Sequence, residues 1–332
     1  MRAPSFWNHK HGRDAAPSIR AALTPLGWLY ARATARRIAT TVPQDVGVPV
    51  ICVGNASVGG TGKTPVVSYL LESLSRMGLR TAALTRGYGG KEKGPAPVSA
   101  KHTYQDVGDE ALLLARHGMV WVAAGRDDGA RAAVARGAQI VVMDDGHQNP
   151  LVKKTLSLLV VDAVIGFGNE RVFPAGPLRE PAAAALERTD AVILMQPYPD
   201  YEPDDELLAQ FGEIPVIPAW LVPKTAPPKG KLFAFAGIGR PQKFFDALVH
   251  AGGELEDSIG FADHHAYKVT DLKNLYELAR EDEAQLITTE KDYVRIPDGF
   301  KKHVASWPVA VEFGDELTLR RLLHPIITAA KR

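Results

Sequence analysis

Residues 57–64 read Ser-Val-Gly-Gly-Thr-Gly-Lys-Thr, between an apolar run, Val48 to Val53, and a helix-like stretch, Pro65 to Met77. A strand feeding a glycine-rich turn and then a helix is a P-loop. Its glycines let successive backbone N–H groups face one anion, the lysine ammonium reaches the β- and γ-phosphates, and the next hydroxyl ligates Mg²⁺. Ser57, Val58, Gly59, Gly60, Thr61, Gly62, Lys63 and Thr64 are therefore the candidate nucleotide cradle. The general pattern opens with glycine where this chain has Ser57, although Gly59 and Gly60 keep backbone freedom inside the loop. The competing reading is a glycine-rich turn that merely joins strand to helix.

Around this loop the chain alternates short apolar runs with helical stretches. Strands are predicted at Arg80 to Leu84, Met119 to Ala123, Gln139 to Met143, Leu156 to Val161 and Ala191 to Met195, with helices near Asp109 and from Asp127 to Arg136. This alternation implies a parallel sheet covered on both faces, an α/β/α sandwich of P-loop NTPase type. The polar segment 91–105 reads as a mobile loop. A proline-rich stretch, about 196–231, reads as an inter-domain connection. Beyond it, Leu232 to Ala236, a Gly237-Ile238-Gly239 turn and a helix near Pro241 to Val249 open a second, smaller α/β domain, with further strands at Gln285 to Thr288 and Val309 to Phe313. The Gly-Ile-Gly turn lacks the lysine and third glycine of a phosphate site, so tight turning accounts for it. The expected division is 1–40, 41–222 and 223–332.

With 332 residues the chain can bury two cores without stapling, and its one cysteine, Cys52, excludes an intrachain disulfide and suits a reducing cytoplasm. A net charge of +1 argues against a nucleic-acid-binding surface covering the molecule. The mean hides a local excess: residues 1–40 carry Arg2, Lys10, Arg13, Arg20, Arg32, Arg36 and Arg37 against Asp14 alone, with Trp7, Trp28 and Tyr30 interleaved. Leu23, Leu26, Leu29 and Tyr30 recur at helical spacing between Ser18 and Ile38. Such an amphipathic helix either lies in a membrane interface or packs on the rest of the protein. No apolar run reaches the ~18 residues of a spanning helix, and no secretory signal is visible, so the protein is expected on the cytoplasmic side.

Phosphoryl transfer needs more than a cradle. A metal-holding carboxylate belongs at the end of a neighbouring buried strand, and Asp144 and Asp145 end the run from Ile140. Asp162 competes more weakly for that role. A carboxylate that takes the acceptor's proton is also required, and Asp109 and Glu110 are candidates, although an acidic pair at a helix start also serves as a dipole-favourable cap. Asp263-His264-His265 forms a second polar cluster, and Thr288-Thr289-Glu290-Lys291-Asp292, at a strand end, is expected to face the cleft.

In this order the motifs resemble the tetraacyldisaccharide 4'-kinase (lipid A 4'-kinase) family. The resemblance rests on Asn55 to Pro65, Thr85-Arg86-Gly87-Tyr88-Gly89, Gly108-Asp109-Glu110, Ala124-Gly125-Arg126, Asp144 to Gln148, Pro174 to Glu180, Phe261 to His264 and Thr288 to Asp292, and Ser57 is at home in that family. It implies transfer of the γ-phosphate of Mg·ATP to the 4'-hydroxyl of an acylated glucosamine disaccharide 1-phosphate. It further implies a catalytic Asp109 assisted by His264, with Lys63 at the γ-phosphate and Thr64, Asp145 and Asp144 at Mg²⁺, Asp145 being preferred of the two aspartates. Glu110, Arg126, Gln148 and Arg179 are implied as substrate contacts. The lipid substrate would bring a monomeric enzyme to the cytoplasmic face of the inner membrane through residues 1–40, with the second domain closing over the site. The alternative is a membrane-recruited P-loop ATPase acting as a switch or positioning factor. Such proteins usually carry a lysine where this chain has Val58, and no Asn-Lys-x-Asp element marks a guanine-nucleotide switch.

Overall fold

The computed structural model describes residues 4–331. A helix, α1 (Pro17–Thr40), precedes a series of alternating strands and helices. β1 (Val50–Gly54) leads through the P-loop into α2 (Lys63–Arg76), followed by β2 (Thr81–Thr85), β3 (Ala96–Pro97), α3 (Tyr104–Val107), α4 (Asp109–Leu114), β4 (Met119–Val122) and α5 (Arg126–Ala135). Next come β5 (Ile140–Asp144), β6 (Leu156–Asp162), α6 (Ala182–Leu186), β7 (Ala191–Gln196), α7 (Asp205–Phe211) and β8 (Val216–Pro223). The second body holds β9 (Lys231–Ala236), α8 (Pro241–His250), β10 (Glu254–Gly260), α9 (Val269–Glu281), β11 (Gln285–Thr289), α10 (Glu290–Tyr293), α11 (Asp298–Lys301) and β12 (Val304–Trp307). β13 (Val309–Phe313) and α12 (Glu316–Ala330) come last.

Nine strands form the larger sheet in the order β13-β8-β7-β6-β1-β5-β2-β4-β3. From β1 the chain passes to β2 and out to β3 and β4 at one edge, returns to β5 between β1 and β2, then crosses to β6, β7 and β8 on the other side of β1. A crevice opens where the direction reverses, and the P-loop lies there. Every residue of β1 and β5 is buried, because helices cover both faces and no alternation with polar residues is needed. α2 turns Val66, Val67, Leu70, Leu71 and Leu74 onto Ile51, Val53 and Val142, and each such buried aliphatic side chain is worth about 1.5–3 kcal/mol. In register, Val53 stands beside Asp144, so the P-loop and the β5 carboxylate leave the sheet at one edge.

The smaller sheet, β10-β9-β11-β12, is parallel throughout. Strand alternation sends Phe233 and Phe235 to one core with Leu272 and Leu275, and Leu232 and Ala234 to another with Phe244, Phe245 and Trp307.

Three expectations need correction. The second unit does not run on past 308, because β13 returns to pair antiparallel with β8 and Val311, Phe313, Leu319 and Leu323 join the larger core. The smaller unit is thus inserted between neighbouring strands of the larger sheet. The proline-rich stretch is not all linker either: it contains α7 and β8. Pro218 and Pro223 sit in β8, one place from the sheet edge, and prolines in a strand are what disguised it. The polar 91–105 segment supplies the edge strand β3 and the start of α3. For α1, where a membrane interface and packing on the protein were both open, the apolar side chains do not form a packed stripe. Only Gly27 and Thr34 are buried; Ile19, Leu26, Trp28, Leu29 and Tyr30 are exposed. α1 is held by close backbone approach at Gly27, where a Cβ would lie 2.7 Å from the Val172 carbonyl oxygen, and by an edge contact of Tyr30 with Phe173. Among the described residues no helix is long and apolar enough to cross a membrane.

Candidate active site

The P-loop is anchored at one end and free at the other. Ser57 forms a bridge with Leu178, and the Val58 N–H donates to the Pro177 carbonyl at 2.7 Å. Ser57 therefore lies in extended pairing with no positive φ, which is why a side chain is tolerated where the general motif has glycine. Gly62, by contrast, enters α2 with φ +89°, which a side chain strongly disfavours. Among the described residues no backbone carbonyl accepts from the N–H groups of Gly59, Gly60, Thr61 or Gly62. Together with the unpaired N–H groups of the first turn of α2 they make an anion cradle.

Beside the cradle stand two aspartates with opposite circumstances. Asp145, with a left-handed backbone (φ +54°), accepts from Arg179 Nη1 through both oxygens at 2.8 Å and lies 3.7 Å from Lys63 Nζ. Burial raises its carboxyl, but Lys63 and Arg179 outweigh that and hold it down at about 2. Asp144, 1 % exposed, has no hydrogen-bond partner for either oxygen. Burial and then Glu110 push its carboxyl up to about 7, against the pull of Lys63. Although Asp145 was preferred as a metal ligand, the carboxylate with free lone pairs is that of Asp144.

Two expected substrate contacts are braces instead. Gln148 is buried and donates to the Asn55 carbonyl at 2.9 Å and to Glu180 at 3.0 Å, while accepting weakly from Arg179. Glu180 in turn takes Arg188 through both oxygens, at 2.7 and 2.6 Å. Arg126 is buried as well, donating to the carbonyls of Ala123 and Asp144 at 3.4 and 3.3 Å. These side chains fix the P-loop, the Asp144 turn and the Pro177 loop relative to one another.

The rest of the site is assembled across the crevice, Asp109 and Glu110 from the larger body and His264, Lys291 and Arg295 from the second. Asp109 opens α4 after Gly108, whose backbone (φ +85°) runs so close to Tyr88 that a Cβ would lie 2.4 Å from its carbonyl oxygen. The Asp109 carboxylate is 4 % exposed; Oδ1 accepts from the Glu110 N–H, and Oδ2 meets His264 Nδ1 at 2.9 Å. Arg295 Nε lies 3.6 Å from the same oxygen. Burial raises the Asp109 carboxyl, but the His264 hydrogen bond, Lys291 and Arg295 outweigh it and leave it below its ordinary value. His264 itself holds a left-handed backbone, φ +57°, and its N–H donates to the Gly237 carbonyl at 3.0 Å. Lys291 Nζ sits 3.2 Å from His264 Nε2 and 3.7 Å from Glu110. Asp109 and His264 thus converge, with Glu110 at the rim.

A second tie crosses the crevice at Asp162. Its Oδ1 accepts from the N–H groups of Val164 and Ile165 at 3.0 and 3.1 Å, and Oδ2 is paired with Arg240 and with Lys243 at 3.1 Å. It has no oxygen to spare for a metal, which removes it as a competitor for that role. Gly239 of the same turn passes close to Gly60 of the P-loop.

Several of these residues were not singled out by sequence reasoning: Arg295, Arg240, Lys243 and the brace Glu180–Arg188. One available signal was the spacing of Lys291 and Arg295, one helical turn apart just after a predicted strand end. The structure uses that spacing to put both cations against the Asp109–His264 pair.

A profile of the family described as tetraacyldisaccharide-1-P 4'-kinase matches residues 19–328. The chain belongs to that family. Two relatives within it are the tetraacyldisaccharide 4'-kinases of Maricaulis maris, 50 % identical over 99 % of this chain and 97 % of its own, and of Caulobacter vibrioides, 50 % identical over 98 % and 99 %. The fold agrees with a crystal structure of LpxK from Aquifex aeolicus in complex with ATP. That structure is 27 % identical, has a TM-score of 0.75, and the match covers 93 % of this chain and 99 % of that one. As a member of the tetraacyldisaccharide-1-P 4'-kinase family the chain is an ATP-dependent kinase of lipid A biosynthesis.

Proposed function

We propose the following division of labour for the family's reaction, transfer of the γ-phosphoryl group of ATP to the 4'-hydroxyl of a tetraacyldisaccharide 1-phosphate. The P-loop N–H groups and Lys63 hold the transferring phosphoryl group and neutralise its developing charge. Asp109 takes the proton of the 4'-hydroxyl as its oxygen bonds to phosphorus; the bond from phosphorus to the bridging oxygen breaks, and its electron pair leaves with ADP. His264 orients the Asp109 carboxylate. The observation that carries this reading is the 2.9 Å contact between Asp109 and His264, made across two separately cored bodies at the mouth of the P-loop crevice.

Asp144 and Thr64 fit a Mg²⁺ ion, since the Asp144 carboxylate is buried without any partner and Thr64 lies in the first turn of α2. Such an ion supplies charge neutralisation on the phosphate oxygens. Arg179, which fastens Asp145, stands at the same edge and is the better candidate of the expected arginines for substrate contact, because Arg126 is buried.

The acceptor is a lipid, so α1 is the element proposed to meet the cytoplasmic face of the membrane. It contains no acidic residue, exposes Leu26, Trp28 and Leu29, and sets the Arg32 guanidinium 5.9 Å from the centre of the Trp28 ring. Aromatic rings at headgroup depth with cations beside them are the physical signature of an interfacial helix. Access of the lipid to the nearly enclosed Asp109 requires the second body to swing away about the segments that join the two sheets, near 224–230 and 308.

The test uses γ-labelled ATP with the acylated disaccharide. Label passes to lipid in the wild type, and Asp109→Asn lowers turnover by about 10²–10⁴-fold, the contribution usual for a positioned base, with the KM for ATP kept. Undiminished turnover in Asp109→Asn removes Asp109 from the role.

A further inference from the structure

We infer that Lys291 is a positioning residue for the kinase reaction, one that fixes the tautomer of His264 and thereby makes Asp109, not the imidazole, the acceptor of the substrate proton. The inference rests on Asp109 as the base. An ammonium group has donors and no acceptor, so across the 3.2 Å contact His264 Nε2 must be the acceptor and Lys291 the donor. The single proton of the neutral ring is then on Nδ1, and it points at Asp109 Oδ2, 2.9 Å away. One contact thus dictates the other.

The surroundings make this arrangement the only comfortable one. His264 is faced by Asp109 from α4, by Lys291 from α10, by Asp263 of its own loop at 3.9 Å, and by the Tyr88 ring from the loop after β2 at 5.6 Å. Arg295 reaches the Asp109 oxygen from the far side, and Glu110 and Asp263 hold the Lys291 ammonium at 3.7 and 3.9 Å. A proton on Nε2 would break the contact with Lys291 and set two donors face to face. The left-handed backbone of His264 and the anchoring of its N–H on Gly237 keep the ring from turning away. Lys291 therefore keeps the His264 proton on Nδ1, and a ring donating through Nδ1 to one oxygen leaves the Asp109 carboxylate with lone pairs available.

Lys291→Met should lower kcat about 10- to 100-fold, part of what a positioned base contributes, and leave the KM for ATP within about twofold. It should also move the acid limb of the kcat profile upward, because Lys291 is one of the cations that hold the Asp109 carboxyl below its ordinary value. Lys291→Arg, which keeps a donor, should restore most of the loss. In ¹⁵N-histidine-labelled protein the wild-type His264 should show the Nδ1–H tautomer, and Lys291→Met should lose that preference. A uniform fall in kcat with an unmoved acid limb, or an Nε2–H ring in the wild type, overturns the inference. So does a raised KM for ATP with the pH profile intact, which would make Lys291 a phosphate contact. Asp109→Asn separates this from failure of the underlying reading: if that variant stays active the base assignment falls, whereas the His264 tautomer is measured independently of turnover.

Discussion

The P-loop edge and the seam between the two bodies sit on opposite sides of one crevice and are built in contrasting ways. At the P-loop edge the working groups are neighbours in the chain: a strand, a turn with glycine where φ is positive, and the first turn of α2, with Asp144 delivered by the adjacent strand in register with Val53. At the seam nothing is local. Asp109 and His264 are 155 residues apart, and each depends on a core of its own. Local construction gives a rigid phosphate cradle whatever the second body does. The seam gives a base that is complete only when two bodies meet, which suits a reaction that must favour a lipid hydroxyl over water.

That contrast can be broken or sharpened by substitution. The largest effect is the loss expected of Asp109→Asn at the seam; next, at the P-loop edge, Asp144→Asn should raise the Mg²⁺ concentration for half-maximal turnover by at least about tenfold, more than Asp145→Asn does, since only Asp144 has both oxygens without a partner. Titration of activity with Mg²⁺ checks this, and an equal or reversed ranking shifts the metal to Asp145. At the seam, Asp162→Asn should leave phosphate binding intact and loosen the union of the bodies. Its pairs with Arg240 and Lys243 are partly open to solvent, so a loss of about 1–2 kcal/mol in stability is the expected scale. Burial raises the Asp162 carboxyl, but Arg240 and Lys243 outweigh it and leave it depressed. A depressed carboxylate contributes its stability above the ordinary value near ~4 and loses it as pH falls through the depressed one. The stability gap between wild type and variant should accordingly be full at pH 6–7 and shrink below about pH 4; a pH-independent gap would point to packing instead of charge.

The smallest effect on chemistry belongs to α1, which lies in neither region. Trp28, 63 % exposed, and Leu29 make few contacts, so replacing both by Ala should change unfolding by no more than about 0.5 kcal/mol per site. Turnover on detergent-dispersed lipid should also hold, while sedimentation with anionic vesicles falls. Unchanged sedimentation would take α1 out of the membrane contact.

Much of this was legible before the fold was known, and the reason is scale. Apolar runs and turn residues act over a few neighbouring positions, so the strands on either side of the P-loop, the cradle itself and the Asp144–Asp145 strand end were readable. Asp109 and the Asp263-His264-His265 cluster stood out as polar candidates, but their pairing and roles were readable only through the ordered motifs of the family. Prolines hid β8, and helical spacing alone left both fates of α1 open. The return of β13 to the first sheet could not be read from a run of five residues that suits either sheet equally well.

By itself, then, the chain's order of residues determined an α/β kinase with a P-loop, the family to which it belongs, and the residue types its site needs. Tertiary structure alone decided which aspartate is left free and which is locked by Arg179, that Gln148 and Arg126 brace the loop from beneath, and that Lys291 and Arg295 close on the Asp109–His264 pair. The reason is that lone pairs and charges are assigned by distance in space. A carboxylate becomes a ligand, a base or a strut according to which cation the fold brings within about 3–4 Å of it.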